Sequence, residues 1–468
     1  MSKSTVTKDA SPGFSPFLIA ITLIATIGGL LFGYDTAVIS GAEKSVQLYL
    51  IDSLGLSTFV HGLTISSALI GCVIGGAISG YFASRYGRKK SLIFTAFLFF
   101  ISALGSGYPE FLFFEEGHVS MGLLYMFNFY RIIGGVGVGM ASAIVPMYIG
   151  ELSPAHLRGR LVSLNQFAII FGMLVVYFVN WGIANGQSIE WINATGWRWM
   201  FISEALPAGL YGILLFIVPE SPRYLALQGK EESALKILSR VNGLAKANEI
   251  LHEIKNSLVE HTSGKLFSYG KIVILIGVLL SVFQQFVGIN VALYYAPRIF
   301  ESMGAAKDAS MLQTVVMGLV NVIFTVLAIV TVDKWGRKVL LLIGSVGMAV
   351  GMFAIAGLAY FEIIGMGTLV FIIIYTASFM MSWGPITWVL IAEIFPNKIR
   401  GRAVAVAVMA QWAANYLISS TYPVMMEFSG AFTYGFYGAM SLLSFVFVWK
   451  MVPETKGKTL EEIESQWK

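Results

Sequence analysis

The sequence predicts an all-α membrane protein in which twelve transmembrane helices form two six-helix bundles joined by a cytoplasmic helical linker. Hydrophobic residues make up 56% of the 468 residues and charged residues only 12%, whereas about a quarter of the residues in a soluble domain are charged. Long apolar segments recur along the whole chain, and short charged motifs of its first half recur in its second half. Composition, segment length and internal repetition together exclude a soluble globular domain.

Twelve segments are apolar and long enough to cross a bilayer, which takes roughly 20 residues in a helix. Numbered 1 to 12, they lie at about 16–42, 60–83, 91–108, 121–149, 161–184, 198–218, 271–300, 310–332, 339–360, 366–391, 402–426 and 432–452. Apart from Arg131 inside an apolar segment and Arg198 at the boundary of one, 26 of the 31 Lys and Arg residues lie on the side that carries both termini and three, Lys44, Arg298 and Lys307, lie on the other. Because cytoplasmic loops are rich in Lys and Arg, we expect both termini in the cytoplasm of a multi-pass protein of the cell (inner) membrane. The net charge of +5 is this topology signal and requires no nucleic-acid partner.

Three charged motifs occur once in each half of the chain. The matching pairs are 86–89 with 335–338, 151–160 with 393–402, and 219–221 with 453–455. Repeated bundles that form a substrate site at their interface are typical of secondary transporters. The predicted domains are an N-terminal bundle at 1–218, an amphipathic helical linker at 219–270, a C-terminal bundle at 271–452 and a cytoplasmic tail at 453–468.

The repeated motifs bring acids and arginines together at the cytoplasmic ends of the segments. We expect ion pairs between helices there, which could latch the cytoplasmic ends of the two bundles together. The alternative is that these are topology charges solvated by water and lipid headgroups, although acids contribute little to topology. The candidate latch residues are Arg85, Arg88, Glu151, Arg158, Glu220, Arg223, Asp333, Arg337, Glu393 and Arg400.

Three ionisable residues lie inside apolar segments: Asp35 in segment 1, Arg131 in segment 4 and Glu204 in segment 6. A charge inside a bilayer costs at least a few kcal/mol, so such residues are candidates for function and need partners. Segment 1 runs outward and segments 4 and 6 run inward, so all three residues are expected in the outer half of the membrane, where they can meet. The alternative is a buried ion pair that only ties segments 1 and 4 together.

Neutral amide side chains are concentrated in segments 5, 7, 8 and 11. They are Gln166, Gln284, Gln285, Asn290, Asn321, Gln411 and Asn415, and the aromatic residues Phe32, Tyr294, Trp388 and Trp412 accompany them. Amides supply the donors and acceptors that an uncharged polyhydroxylated ligand requires, and aromatic walls are typical of small-molecule pockets. The alternative is that each amide only bonds a neighbouring helix.

Two helices are predicted to bend. Gly288 and Asn290 interrupt segment 7, and Gly384-Pro385 interrupts segment 10. Proline removes a backbone hydrogen bond from a helix interior, and such breaks are tolerated in a membrane only where they are buried in protein or line a cavity. We therefore expect segments 7 and 10 to gate the site.

The charged motifs, together with 219–223 and 453–457, resemble those of the sugar porter family of the major facilitator superfamily over essentially the whole chain. Within this family the chain resembles the xylose:proton symporters almost residue for residue at 30–41, 165–172, 283–297 and 382–396. The resemblance implies the major facilitator fold and proton-coupled uptake of a monosaccharide, D-xylose or a hexose such as D-glucose, by alternating access. Met173 stands where the xylose symporters have a glutamine, so the identity of the sugar stays open.

The resemblance also implies residue roles. Asp35 is the expected proton carrier: Arg131 favours its carboxylate, burial opposes it, and protonation frees Arg131 to pair with Glu204. The implied sugar ligands are Gln166, Gln284, Gln285, Asn290, Asn321, Trp388, Gln411 and Trp412, with Phe32, Tyr294 and Gly384 lining the site.

Three other functions are alternatives to symport. A facilitative uniporter would move sugar without a proton. A non-transporting sugar sensor would usually have a long signalling tail, whereas 453–468 is short. An enzyme is disfavoured because the apolar segments contain no nucleophile and base pair and no metal-ligand cluster, so we expect no cofactor and no metal. We expect a monomer whose partners are the monosaccharide, the proton and the lipid bilayer.

Overall fold

A computed structural model describes residues 15–111, 113–115, 117–154, 157–259, 266–302, 304, 306–363, 366–396, 399–456 and 462–463. Within these ranges the chain is helical and contains no β-strand. The first half consists of α1 (Pro16–Val46), α2 (Thr58–Ile65), α3 (Ser67–Tyr86), α4 (Arg88–Gly107), α5 (Met121–Leu152), α6 (Arg158–Ala184), α7 (Ile189–Trp191), α8 (Trp197–Ile202) and α9 (Ala205–Leu215). Short π-helical stretches follow α1 at Gln47–Ile51 and α7 at Ile192–Gly196, and a 3₁₀ turn covers Asp52–Leu54.

The linker and the second half complete the helix order. The linker holds α10 (Pro222–Leu227), α11 (Glu231–Asn242) and α12 (Leu244–Val259). The second half holds α13 (Lys271–Phe286), α14 (Ile289–Tyr294), α15 (Ala296–Ser302), α16 (Lys307–Trp335), α17 (Arg337–Tyr360), α18 (Met366–Met381), α19 (Trp383–Ile394), α20 (Arg400–Phe428) and α21 (Gly430–Met451). Among the described residues, eleven helical stretches are long and apolar enough to cross a membrane. The remaining predicted segment, segment 6, is divided between α8 and α9.

One helix break lies where the sequence predicts it, and two others do not. The break in segment 7 lies at Gly288, as predicted, where φ is +90° and ψ is 17°. The break in segment 10 lies at Ser382, not at Gly384-Pro385, and Pro385 falls in the first turn of α19. Proline is tolerated there because the first-turn N–H groups have no partner within the helix. Segment 6 also breaks, at Ser203 and Glu204, which the sequence did not indicate.

The repeated motifs form the same structure in both halves. Gly87 and Gly336 separate consecutive helices, and each has a φ of +90°, which favours glycine. Beside Gly87, the Glu220 carboxylate accepts a hydrogen bond from the backbone N–H of Arg88 at 2.9 Å. Beside Gly336, the Glu454 carboxylate accepts one from the backbone N–H of Arg337 at 3.0 Å. Each glutamate thus caps the N-terminus of a helix, which is why motif and spacing recur together.

Close helix packing occurs within each half and between the halves. A Cβ added at Gly33 would lie 1.8 Å from the Ile169 carbonyl oxygen, so α1 and α6 touch at their backbones. A Cβ at Gly62 would lie 2.0 Å from the Ser420 carbonyl oxygen, so α2 of the first half touches α20 of the second half just as closely. This second contact is part of what we call the outer seam: the junction of the ends of α1 and α2 with α14, α15 and the end of α20.

Candidate functional site: a polar cluster and a buried ion pair

A chain of amide groups forms the centre of the second half. Gln284 in α13 donates from Nε2 to the backbone oxygens of Trp383, at 3.1 Å, and Gly384, at 3.3 Å. Gln284 Oε1 accepts from Gln285 Nε2 at 3.1 Å and from Gln411 Nε2 at 2.5 Å. Asn290 Nδ2 donates to Gln285 Oε1. Four predicted site residues from α13, α14 and α20 are therefore directly connected, at the point where segments 7 and 10 break.

Three buried polar atoms of the predicted sugar ligands have no partner in the described part of the protein. They are Gln411 Oε1, Trp412 Nε1 and Asn321 Oδ1. Buried polar atoms are nearly always hydrogen-bonded, so an exception indicates an unseen water or ligand. Two acceptors and one donor without partners match the chemistry of sugar hydroxyl groups.

The predicted aromatic wall and Asn415 also lie at this site. The Phe32 ring of the first half is 5.8 Å from the Trp412 ring of the second half, centroid to centroid. Asn415 Nδ2 donates to the Tyr294 hydroxyl at 3.3 Å, and its Oδ1 accepts from Ser419 Oγ at 3.0 Å. Phe32 is the predicted lining residue that spans the interface of the two halves.

Gln166, Trp388 and Met173 lie outside the amide chain, whereas Gly384 is hydrogen-bonded to it. Gln166 and Trp388 are half-buried, and neither takes part in its hydrogen bonds. Met173 is 7% exposed and sits where α6 packs against α1, close to Gly33. Gly384 contributes its backbone oxygen rather than an open surface.

The three intramembrane ionisable residues meet, as the topology predicted. Arg131 Nη1 lies 2.7 Å from Asp35 Oδ1, and Arg131 Nη2 lies 3.3 Å from the Asp35 backbone oxygen. Glu204, 1% exposed, interacts electrostatically with both residues and is within reach of a hydrogen bond to Asp35 if one carboxyl group holds a proton. Asp35 Oδ2 and both Glu204 carboxylate oxygens are buried without a donor in the described residues. Glu204 reaches this position because the break between α8 and α9 falls at its backbone.

The predicted latch pairs form within each half. Arg88 Nη2 lies 2.7 Å from Glu151 Oε1 in the first half, and Arg337 Nη2 lies 3.1 Å from Glu393 Oε1 in the second. These two pairs therefore do not join the bundles, which corrects that part of the prediction. The motif repeats within a bundle because it ties the end of one helix to its neighbours in that bundle.

The other predicted latch residues have varied surroundings. The Arg158 and Arg400 Nε groups donate to the backbone oxygens of Gly150 and Phe395, both at 3.1 Å. Arg85 is exposed and Arg223 is half-buried. The Asp333 side chain lies outside the described part of the structure.

The repeated capping glutamates differ in their electrostatics. Burial raises the pKa of Glu220 despite hydrogen bonds from backbone N–H groups. Burial also opposes ionisation of Glu454, but the backbone N–H groups of Lys456, Arg337, Lys338 and Thr455 outweigh it and lower its pKa. The two halves are thus alike in geometry and unlike in charge stabilisation.

Two ion pairs on the outer side were missed at the sequence level. Glu43 is 2% exposed, and Arg298 Nη1 donates to its Oε1 at 2.5 Å. Arg198 makes a two-pronged contact with Glu110, at 2.6 and 2.8 Å. The available signal was the scarcity of basic residues on the outer side, which made Arg298 unusual, but a sequence does not show which acid faces it.

These features define a multi-pass transporter of the major facilitator fold, with two repeated helical halves, a polar site between broken helices and a buried charge group. Residues 21–467 match the family described as "Sugar (and other) transporter", and the chain belongs to this family of transporters rather than to a family of enzymes.

Individual relatives resemble the chain over nearly its full length. It is 52% identical to the D-xylose-proton symporter of Escherichia coli, covering 97% of this chain and 96% of the relative. It is 43% identical to the arabinose-proton symporter of Bacillus subtilis, covering 99% and 97%. A solved structure of the E. coli xylose transporter in an inward-open conformation superposes with a TM-score of 0.88 at 50% identity, covering 97% of this chain and 100% of that one.

Proposed function

We propose that the protein imports a monosaccharide, D-xylose or a hexose such as D-glucose, together with a proton across the cell inner membrane by alternating access. Both termini would be cytoplasmic. Residues 1–218 would carry the proton site and part of the sugar site, 219–270 would link the halves, and 271–452 would supply most sugar ligands. Relatives named as proton symporters of xylose and arabinose support this assignment.

The observation that carries the proposal is the buried Asp35–Arg131 ion pair with the Glu204 carboxylate beside it. Two acids and one base give this group a net charge of −1 when both acids are ionised. One added proton makes it neutral, and the proton can bridge Asp35 Oδ2 and a Glu204 carboxylate oxygen, atoms that have no donor in the described part of the chain. A buried net charge is costly. Uptake of one proton neutralises the Asp35, Arg131 and Glu204 group and so lowers the free-energy cost of keeping it buried.

Coupling follows from exchange of the arginine's partner. With Asp35 ionised, Arg131 holds it at 2.7 Å and ties α1 to α5. Protonation of Asp35 weakens that bond and leaves Arg131 to Glu204, which releases α1. Each inward proton is driven by roughly 2.3 kcal/mol per 100 mV of membrane potential, and about 1.4 kcal/mol is a factor of ten, so one proton supports accumulation of sugar by tens of times.

The sugar would bind at the amide chain. The unsatisfied Gln411 Oε1, Trp412 Nε1 and Asn321 Oδ1 atoms supply polar partners, and Phe32 and Trp412 cover apolar faces of the ring. Because Phe32 belongs to α1, as does Asp35, release of α1 on protonation acts on the sugar site directly. This shared helix is the physical link between the two sites.

Replacement of Asp35 by Asn tests the coupling. Uphill uptake of labelled sugar should be lost in Asp35→Asn, while counterflow, which needs no proton gradient, should persist. Asp52→Asn is the matched control, because Asp52 is an exposed acid at the outer end of the same helical stretch. Retained uphill uptake in Asp35→Asn would refute the proton role.

A uniporter is distinguished by the proton itself. Sugar added to weakly buffered cells should raise the pH of the medium for the parent protein and leave it unchanged for Asp35→Asn.

Sugar identity is tested by competition of pentoses and hexoses for labelled uptake, repeated in Met173→Gln. An altered ranking would make Met173 a selector, and an unchanged ranking would exclude it.

A further inference from the structure

An ion pair closes the outer seam between the two halves. Glu43, near the end of α1, faces Arg298 in α15, with Glu43 Oε1 and Arg298 Nη1 2.5 Å apart. The same arginine nitrogen donates to Gln47 Oε1 at 2.8 Å. His61 Nε2, in α2, approaches Glu43 Oε1 to 3.0 Å. The Glu43 carboxylate therefore lies between a base of its own half and a base of the other half.

The surroundings of this pair are closely packed. The His61 side chain is completely buried, and its ring meets the Tyr295 ring of the second half edge-on at 6.4 Å. One residue further, Gly62 touches the backbone of Ser420. The Glu43 carboxylate is therefore removed from solvent where the two halves meet.

Glu43 and Arg298 differ in solvent exposure. The difference decides which of the two is more costly to leave without its partner. The Glu43 side chain is 2% exposed, whereas that of Arg298 is 41% exposed. Arg298 without Glu43 could turn into water and keep its bond to Gln47. Glu43 without Arg298 would be a buried carboxylate with only His61 beside it, and breaking a buried pair in this way is strongly destabilising. Opening of the seam would hydrate that carboxylate and remove the penalty.

We propose that Glu43 and Arg298 are the lock of the outer gate: their ion pair holds the outer seam closed and must break each time the sugar site opens outward. This inference rests on the proposed alternating access, to which it adds the residues that set the outward-opening step. The lock is separate from the Asp35 group, because it joins the two halves whereas Asp35 and Arg131 lie in the same half.

A second ion pair across the seam provides a matched control. Lys44 Nζ lies 2.6 Å from Glu301 Oε2, so it also joins α1 to α15, but its two side chains are 54% and 20% exposed. Exposed pairs contribute little to stability. Both ion pairs join α1 to α15 through one acid and one base, with the acid on α1 in the lock and on α15 in the control. They differ in burial.

The test measures access to the seam from outside. Ser420 is 3% exposed, and the one native cysteine, Cys72, is buried. In a Cys72→Ala, Ser420→Cys background, intact cells at pH 7.5 are treated with a membrane-impermeant maleimide and the labelling rate is measured. Arg298→Met should raise this rate by roughly tenfold, because it leaves a buried carboxylate without its partner. Glu43→Gln alone should raise it less, and Lys44→Met should change it by less than about twofold.

The decisive variant is the double replacement. Glu43→Gln added to Arg298→Met removes the unpaired buried charge, so the labelling rate should fall from that of Arg298→Met to that of Glu43→Gln alone, which stays above that of the parent. A general loss of folding would not be reversed by a second substitution. If Arg298→Met does not reach the membrane, Arg298→Lys keeps the charge but replaces the planar guanidinium by a more strongly hydrated ammonium, and should give an intermediate rate.

The inference is overturned if Arg298→Met and Arg298→Lys both label like the parent, or if Glu43→Gln does not reverse the effect. Failure of the proposed function is a different result. In that case the parent takes up no sugar in the uptake assay, while the labelling rates still report whether the ion pair holds the seam.

Discussion

Arg131 Nη1 lies 2.7 Å from Asp35 Oδ1, and the two side chains are 2% and 1% exposed. A pair this deeply buried is held by mutual attraction that has to offset a large loss of hydration. Removal of one partner therefore costs much more than removal of both. This asymmetry separates the role of the pair in stability from its role in transport.

Arg131→Met should lower the free energy of unfolding by about 3 kcal/mol, since it leaves the Asp35 and Glu204 carboxylates side by side without a base. Asp35→Asn combined with Arg131→Met should recover a large part of that loss. Tryptophan fluorescence during thermal unfolding in detergent would measure both. Equal melting temperatures for the single and double variants would contradict the pairing of these residues.

Glu204→Gln should loosen coupling rather than abolish binding. It removes the second acid, so the group is neutral with Asp35 ionised and paired, and a proton is no longer needed for neutrality. We expect uphill accumulation to fall by about tenfold, which corresponds to a loss of about 1.4 kcal/mol of coupling, with counterflow retained. Glu427→Gln in α20 is a control, because Glu427 is not part of the buried group. Unchanged accumulation in Glu204→Gln would exclude the partner exchange.

Gln284→Ala should weaken sugar binding more than Gln166→Ala. Gln284 bonds four groups, namely two backbone oxygens of segment 10 and the amides of Gln285 and Gln411. Its loss leaves buried partners unsatisfied, at a cost of about 1–3 kcal/mol, or roughly 5- to 150-fold in affinity. Gln166 is half-buried and outside that network. Isothermal titration with each candidate sugar compares the two variants, and a larger effect of Gln166→Ala would move the centre of the site to α6.

The sequence was sufficient for the fold and for the charge group, since both depend on strong physical constraints. Hydropathy and the repeated motifs specify the number and pairing of the helices, and an ionisable residue in an apolar segment stands out by its energetic cost. Asp35, Arg131 and Glu204 can therefore be identified from the sequence alone. The amide chain was also visible, because Gln284 and Gln285 are adjacent polar residues in an apolar helix.

What the sequence did not show depends on packing between distant parts of the chain. The helices break at Ser382 and Ser203, although neither residue is glycine or proline, so the exact place of each break does not follow from the residue type found there. In the sequence, Glu43 is one of several acids near the ends of apolar segments. Its pairing with Arg298 depends on the packing of α15 from the other half against α1. Arg88 could have paired with any of several cytoplasmic acids, and geometry selects Glu151.

The Glu110–Arg198 contact should make stability depend on pH in the acidic range. Burial opposes ionisation of Glu110, but its hydrogen bonds and charge interaction with Arg198 outweigh burial and lower the pKa of Glu110. A lowered pKa in the folded state means that the stabilisation is complete above the ordinary value of about 4.3 and is lost as the pH falls through the folded-state pKa.

Glu110→Gln isolates this effect from other titrating acids. Near pH 7 it should lower the unfolding free energy by about 2 kcal/mol, as expected for hydrogen bonds to a charged group. The difference in melting temperature between parent and variant should shrink below about pH 4. A difference that stayed constant from pH 7 to pH 3 would show that the ionisation of Glu110 does not contribute.

Gly33 and Gly62 should respond differently to the same small change. In both, a Cβ would meet a backbone oxygen, at 1.8 Å for Ile169 and 2.0 Å for Ser420. Ile169 belongs to the same half as Gly33, so Gly33→Ala forces apart helices that pack within one bundle and should cost about 1–3 kcal/mol of stability. Ser420 belongs to the other half, so Gly62→Ala can relieve its clash by opening the outer seam.

Gly33→Ala should therefore lower the melting temperature and the uptake of sugar together. Gly62→Ala should keep the melting temperature and increase labelling of a thiol introduced by Ser40→Cys in the Cys72→Ala background, since Ser40 lies beside Arg298 and Pro297 at the seam. A fall in melting temperature for Gly62→Ala without increased labelling would mean that the two halves do not separate at α2 and α20. The same substitution of glycine by alanine thus distinguishes the α1–α6 contact, which holds one bundle together, from the α2–α20 contact, which opens during transport.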